Sequence, residues 1–254
     1  QHTPPNVTRP GSQREGAVWK GMAEGTNGPP FPYSRPANPS LPRQAPVADP
    51  SAVPSPGRTL RTIWSSGPLR RTLMLTIVVA FSVAALPIYA VAIAPSLGGA
   101  ALAGTLVAGY GVGNLAGSAL LMAWPLRGDA DKLTATLAAT VAVTLALVIP
   151  MPTLATALVA FTVAGAANAL FFAATLAARS EYAPAEARGQ VFIWVGALKI
   201  AAGSAGTATA GALIGSMAWV PVAAVAALSG VAALVCGLER SRTTHPKIAA
   251  RQVW

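Results

Sequence analysis

Lys199 stands in the run WVGALKIAAGSAG, residues 194 to 206, as the only charge between Arg188 and Glu239. It lies about 10 residues, hence roughly 15 Å along a helix, from the Arg188 end, too deep for its stem to snorkel comfortably to water. A lysine at that depth in an apolar solvent costs about 2.5 to 3.5 kcal/mol, while each Leu, Ile, Val or Phe returns only about 0.3 to 0.6. Its run is dominated by Ala and Gly, so a favourable environment among other helices is required. Two chemistries supply one. The lysine contacts a substrate, a proton or a counter-charge in a watery cavity, or it is a structural lysine bonded to backbone carbonyls or to Asn114 or Asn168. Gly196, Gly203 and Gly206 share its face at helical spacing, which turns it toward neighbouring helices. Asn114, Asn168 and Tyr89, the last beside the kink expected at Pro87, are the other polar groups expected in the lining.

Other chemistries lack their residues. Cys236 is the only cysteine and both histidines, His2 and His245, lie near the ends, which excludes an internal disulfide and a cysteine-cluster metal site. An intramembrane serine hydrolase needs a histidine beside its serine; Ser118 and Ser204 have none in the same runs. Gly111-Val-Gly113-Asn-Leu-Ala116 matches the letters of a dinucleotide fingerprint, but it lacks the preceding strand and lies inside an apolar run, so close helix packing is the better explanation. No phosphate-binding loop is present. The expectation is a protein that is not an enzyme, with no cofactor and no metal.

The elements that hold these residues follow from where charge is missing. The 254 residues are 53% hydrophobic and 10% charged, far below the roughly 25% charged residues of a globular chain. No charge lies between Arg71 and Arg127 or between Lys132 and Arg179, and only Lys199 between Arg188 and Glu239. A span needs roughly 20 apolar residues, so each block holds two helices and a turn. Breakers at Pro95 to Gly99, Pro150 and Pro152, and Ser216 to Pro221 place spans near 72–94, 101–125, 133–150, 153–178, 189–215 and 218–238. The net charge of +10 does not point to nucleic acid, because Lys and Arg crowd the segments before span one, between spans two and three, between four and five, and after six. The other three connections carry none, so both termini are expected in the cytoplasm of a plasma-membrane protein, with the lipid bilayer as the first partner.

Residues 1–56 hold 13 prolines and no apolar periodicity, and are expected to form a disordered cytoplasmic tail. Residues 57–71 read equally as an interfacial basic segment or a solvated linker, 72–238 as the membrane domain and 239–254 as a basic cytoplasmic tail. The polar N-terminus is no cleavable signal peptide, and without an initiator Met the expectation is a fragment or processed product. Span two carries Gly109, Gly113 and Gly117, and span five Gly203, Thr207, Gly211 and Gly215, all at intervals of four. Such ridges let backbones approach closely. The fold class expected is all-α and integral to the membrane, a six-helix bundle of two inverted three-helix repeats.

With these features the chain resembles the C-terminal half, spans seven to twelve, of a major facilitator superfamily transporter, over residues 58 to 240. EYAPAEARGQVF at 181 to 192 is similar to the family's connection between spans ten and eleven, with Pro184, Glu186, Arg188 and Gly189 opening the eleventh helix. RGDADKL at 127 to 133 sits where the family often repeats a Gly-x-x-x-Asp-Arg-x-Gly-Arg motif, of which Asp131 and Lys132 are present. The resemblance implies alternating access, a small-molecule substrate held between two halves, and spans seven, eight, ten and eleven around the cavity. It also implies a missing N-terminal half, or a second copy, as partner. Lys199, Asn114, Asn168 and Tyr89 are then the candidate substrate or proton pathway, and efflux the commonest activity. The competing expectation is a non-transporting six-span scaffold, or a half-size protein that dimerises, binding a partner through its proline-rich tail.

Overall fold

The computed structural model describes residues 56–249 except 214 and 216. The tail expected to be disordered therefore lies, through residue 55, outside the described residues. Every regular element among the described residues is helical. Six segments are long and apolar enough to cross a membrane, the make-up of a multi-pass membrane protein: Gly67–Leu97, Leu102–Ala123, Ala130–Leu147, Leu154–Tyr182, Arg188–Leu213 and Trp219–Arg242. Each overlaps one of the six expected spans.

In chain order the helices are α1 (Pro56–Ser65), α2 (Gly67–Val83), α3 (Leu86–Ile93), α4 (Leu102–Ala123), α5 (Ala130–Leu147), α6 (Leu154–Tyr182), α7 (Arg188–Leu213) and α8 (Trp219–Ala249). The first span is α2 and α3 together. It breaks where Pro87 enters the first turn of α3, because the ring has no N–H for the carbonyl four residues back and crowds it. Its far end closes through the 3₁₀ turn Ala94–Leu97 onto Gly98 and Gly99, at φ 127° and 153°, backbone that a side chain would strain. Elsewhere side chains set the boundaries. Asp129 caps α5 by accepting from the Lys132 N–H at 2.8 Å, and Thr153 and Thr156 form a reciprocal capping box at α6.

α1 buries one side. Ile63 is enclosed with Leu69, Leu73, Val191 and Val195, while Leu60 and Trp64 stay exposed, so the segment is a helix docked on α2 and α7. The helix of the first span begins at Gly67, ahead of the expected residue 72, and takes Arg70 and Arg71 into its first turns.

The bundle is assembled at close backbone crossings. α4 packs on α6, α7 on α2, α5 on both α6 and α8, and α2 on α8. A methyl group on Gly113 would run into the Thr162 carbonyl, and one on Gly165 into the Tyr110 carbonyl. Gly117 would meet the Ala166 oxygen at 2.7 Å and Gly109 the Leu158 side chain. The three expected glycines of α4 thus lie directly against α6. On α7 the close approach falls at Gly206, against the Phe81 carbonyl of α2, with Gly203 3.9 Å from the Ala80 oxygen. Gly211 and Gly215 face open space. Thr207 adds a hydrogen bond to the Ala84 carbonyl at 3.3 Å.

Burial is uneven. In their most apolar stretches α4 and α7 bury 22% and 17% of residues, against 39–44% in the other four spans. α5 and α8 pack on each other and still turn Val143, Leu147, Leu234 and Val235 outward.

Gly113→Ala and Gly206→Ala are expected to lower stability by about 1–3 kcal/mol through overpacking, whereas Gly111→Ala and Gly211→Ala, which point into open space, should change little. SDS-titrated unfolding of the detergent-solubilised protein measures this; equal effects at all four positions would contradict the crossings.

Candidate functional site

Lys199 projects from α7 over the ring of Phe172 on α6, with Nζ 3.7 Å from the centroid. Two helical turns nearer the connection between these helices, the relation reverses. The Arg179 guanidinium of α6 lies over the ring of Phe192 on α7, 5.5 Å from its centroid. Consecutive antiparallel helices thus exchange two cation–aromatic contacts. Seven residues separate the rungs on each helix, a rise of about 10 Å. Each such contact contributes about 0.5 to 2 kcal/mol, more when desolvated.

Arg179 is 3% exposed. Its Nε donates to the Thr175 carbonyl at 3.0 Å and its Nη2 to the Thr175 hydroxyl at 2.9 Å, both on its own helix. Lys199 is half-buried. Neither cation has a carboxylate partner among the described residues.

The same face of α6 extends to Asn168, one turn before Phe172. Asn168 Nδ2 donates to Asn114 Oδ1 on α4 at 3.1 Å, and Asn114 Nδ2 donates to the Tyr110 carbonyl at 3.1 Å. The two asparagines are therefore paired with each other, and a partly buried line of side chains runs Asn114, Asn168, Phe172, Lys199. Tyr89 sits elsewhere. It is enclosed in the main core and donates to the Ile149 carbonyl at 3.1 Å, tying α3 to the end of α5.

At the end of the bundle where α2 and α5 begin and α8 passes Glu239, charges are compensated. Arg71 Nε and Nη2 reach the two oxygens of Asp131 at 3.1 and 2.6 Å, and both residues are buried. Arg240 approaches Asp131 at 3.5 Å and Asp129 at 3.3 Å. Glu239 pairs with Arg70 and lies 3.9 Å from Arg71. The network joins the first, third and sixth spans. Arg188 and Gly189, the other members of the expected loop motifs, open α7 at the surface. No group of His, Cys, Asp or Glu that could hold a metal occurs among the described residues.

Arg179 and Arg71 were both legible as loop charges flanking apolar runs, which hides their burial. A signal existed for Arg179, since the breaker Pro184 comes five residues later and leaves the arginine on the helix. Nothing in the sequence signals that Phe172 and Phe192 cross-pair with the cations. Comparisons with protein-family models, with curated proteins and with solved structures return no match.

Removing one partner of a buried ion pair leaves an uncompensated charge, about 3–5 kcal/mol. Asp131→Asn is expected to destabilise the protein by that order, and Arg71→Met with Asp131→Leu to recover most of the loss. SDS-titrated unfolding of both variants checks the pair; a single variant within about 1 kcal/mol of the parent would show that it carries little.

Proposed function

We propose that the chain is the C-terminal six-helix half of a major facilitator superfamily secondary transporter. It moves a small molecule across the plasma membrane by alternating access, with proton-coupled efflux as the mode to test first. Both termini are cytoplasmic, as the basic connections demand, and the protein works without catalytic chemistry or a cofactor of its own.

The observation that carries this reading is the pairing of the helices. Exchanging span one with four, two with five and three with six carries α4 on α6 into α7 on α2, α5 on α6 into α8 on α2, and α5 on α8 into itself. All of these interfaces are formed. The glycine crossings obey the same exchange, Gly113 and Gly165 for one pair and Gly206 for the other. Two inverted three-helix repeats produce that correspondence, and nested repeats of this kind build each half of such transporters.

Two further features support it. The sparsely covered helices, α4 and α7, are the second and fifth spans, which in this architecture meet the opposite half. A second six-helix half, supplied by the same gene or by another copy, would cover them. The line from Asn114 through Asn168 and Phe172 to Lys199 also draws on the second, fourth and fifth spans, whose polar side chains this reading assigns to the substrate path. Lys199 would act there by contacting substrate or proton.

Reconstitution in proteoliposomes, of this chain alone and joined to a second six-helix half, tests the proposal through substrate-dependent dissipation of an imposed pH gradient. Lys199→Ala is expected to lower the flux about tenfold or more, and Lys199→Arg to retain most of it. Absence of gradient- or substrate-driven flux from the joined protein would overturn the transporter assignment. Equal flux in both variants would make the lysine structural.

A further inference from the structure

Charge compensation divides the bundle in two. The described residues include five carboxylates: Asp129, Asp131, Glu181, Glu186 and Glu239. Three of them, Asp129, Asp131 and Glu239, are engaged with Arg70, Arg71 and Arg240. Glu181 and Glu186 are exposed beside the α6–α7 connection. The seam between α6 and α7 is left with two cations and no acid.

Arg179 makes this consequential. An arginine side chain stays protonated in proteins, so it has no neutral form to fall back on when buried. Its hydrogen bonds go to Thr175 and its ring contact to Phe192. The C-terminal turn of α6 offers a partial negative charge, yet Lys199 adds a second positive charge one rung, about 10 Å, away along the helices. Arg179 Nη1 forms no hydrogen bond.

Phe172 and Lys199 are partly exposed, so the seam presents both a ring face and an ammonium group. The part-exposed Lys199 ammonium is a mobile point charge that can meet an anionic head group, the neighbouring Phe172 ring suits an apolar body, and the buried Arg179, about 10 Å away along the helices, adds positive potential.

We propose that the α6–α7 seam is the binding site for a small organic anion, a carboxylate or phosphate monoester with an apolar or aromatic body, held by Lys199 beside Phe172 with the positive charge of the buried Arg179 behind it. This rests on the transporter reading for calling the anion a substrate; the binding site itself does not depend on flux.

Binding is measured by isothermal titration on the full chain in phosphatidylcholine nanodiscs. Benzoate and phenyl phosphate are the probes, with benzamide as neutral and benzylamine as cationic counterparts. The anions are expected to bind at least about tenfold tighter than benzamide, and benzylamine not to bind. Lys199→Gln, at a half-exposed position, should weaken the anions about tenfold with Lys199→Arg retaining them, and Arg179→Gln should do likewise where it folds. Anion binding unchanged in Lys199→Gln, or equal affinity for benzoate and benzamide with no change in phosphatidylglycerol stabilisation in that variant, overturns the site. An anionic lipid head group could supply the same chemistry. If benzoate binds no better than benzamide in phosphatidylcholine while Lys199→Gln loses thermal stabilisation by phosphatidylglycerol, the anion is a lipid and the substrate assignment fails. Anion binding without flux would keep the site and remove the transporter reading; flux of neutral or cationic compounds alone would do the reverse.

Discussion

Helices that are equally apolar toward lipid and toward one another gain little by leaving the lipid, so they associate where backbones come close enough for dense packing. In this protein that condition is met where a side chain is missing. Gly113 and Gly165 let α4 and α6 approach to backbone contact, and Gly206 does the same for α7 on α2. These crossings set the positions of the second and fifth spans relative to the fourth and first. The asparagine pair, Lys199 and Arg179 are held by the same helices, so their geometry depends on the same contacts.

Charge supplies the second constraint. A low-dielectric bundle tolerates a buried ion when geometry and hydrogen bonds offset its desolvation. Arg71 meets this condition through both oxygens of Asp131, at a corner where three spans converge. Arg179 and Lys199 meet it with rings and a neighbouring hydroxyl instead of an acid. One corner thus has the character of a structural tie, while the α6–α7 seam holds two cations with no paired acid among the described residues.

Much of the fold was legible because its signal is one-dimensional. Charge-free runs long enough to span a bilayer, separated by Pro and Gly, located all six helices. The broken first span followed from Pro87 in the same way. The site was legible in part. Lys199 stood out because it is alone among apolar residues, and Asn114 and Asn168 because amides are rare at that depth; the structure hydrogen-bonds the two amides to each other. Tyr89 carried an equally visible polar group, and its hydroxyl is taken up by the Ile149 carbonyl, a contact that depends on how the turn after α5 folds back. Gly203 and Gly211 share a ridge in the sequence, but the backbone crossing falls at Gly206 while Gly211 faces open space, so spacing could not identify which glycines touch.

The sequence by itself determined the helical class, the number of spans and the residues at unusual depth, because the bilayer acts on each segment through its own hydropathy and length. Tertiary structure alone decided partnership. Whether Arg179 meets an acid or a ring, and whether Arg71 is a loop charge or half of a buried pair, depends on which helix crosses at that level. That choice is made by packing between segments distant in the chain, such as Arg71 with Asp131 and Gly113 with Thr162, and no local pattern encodes it.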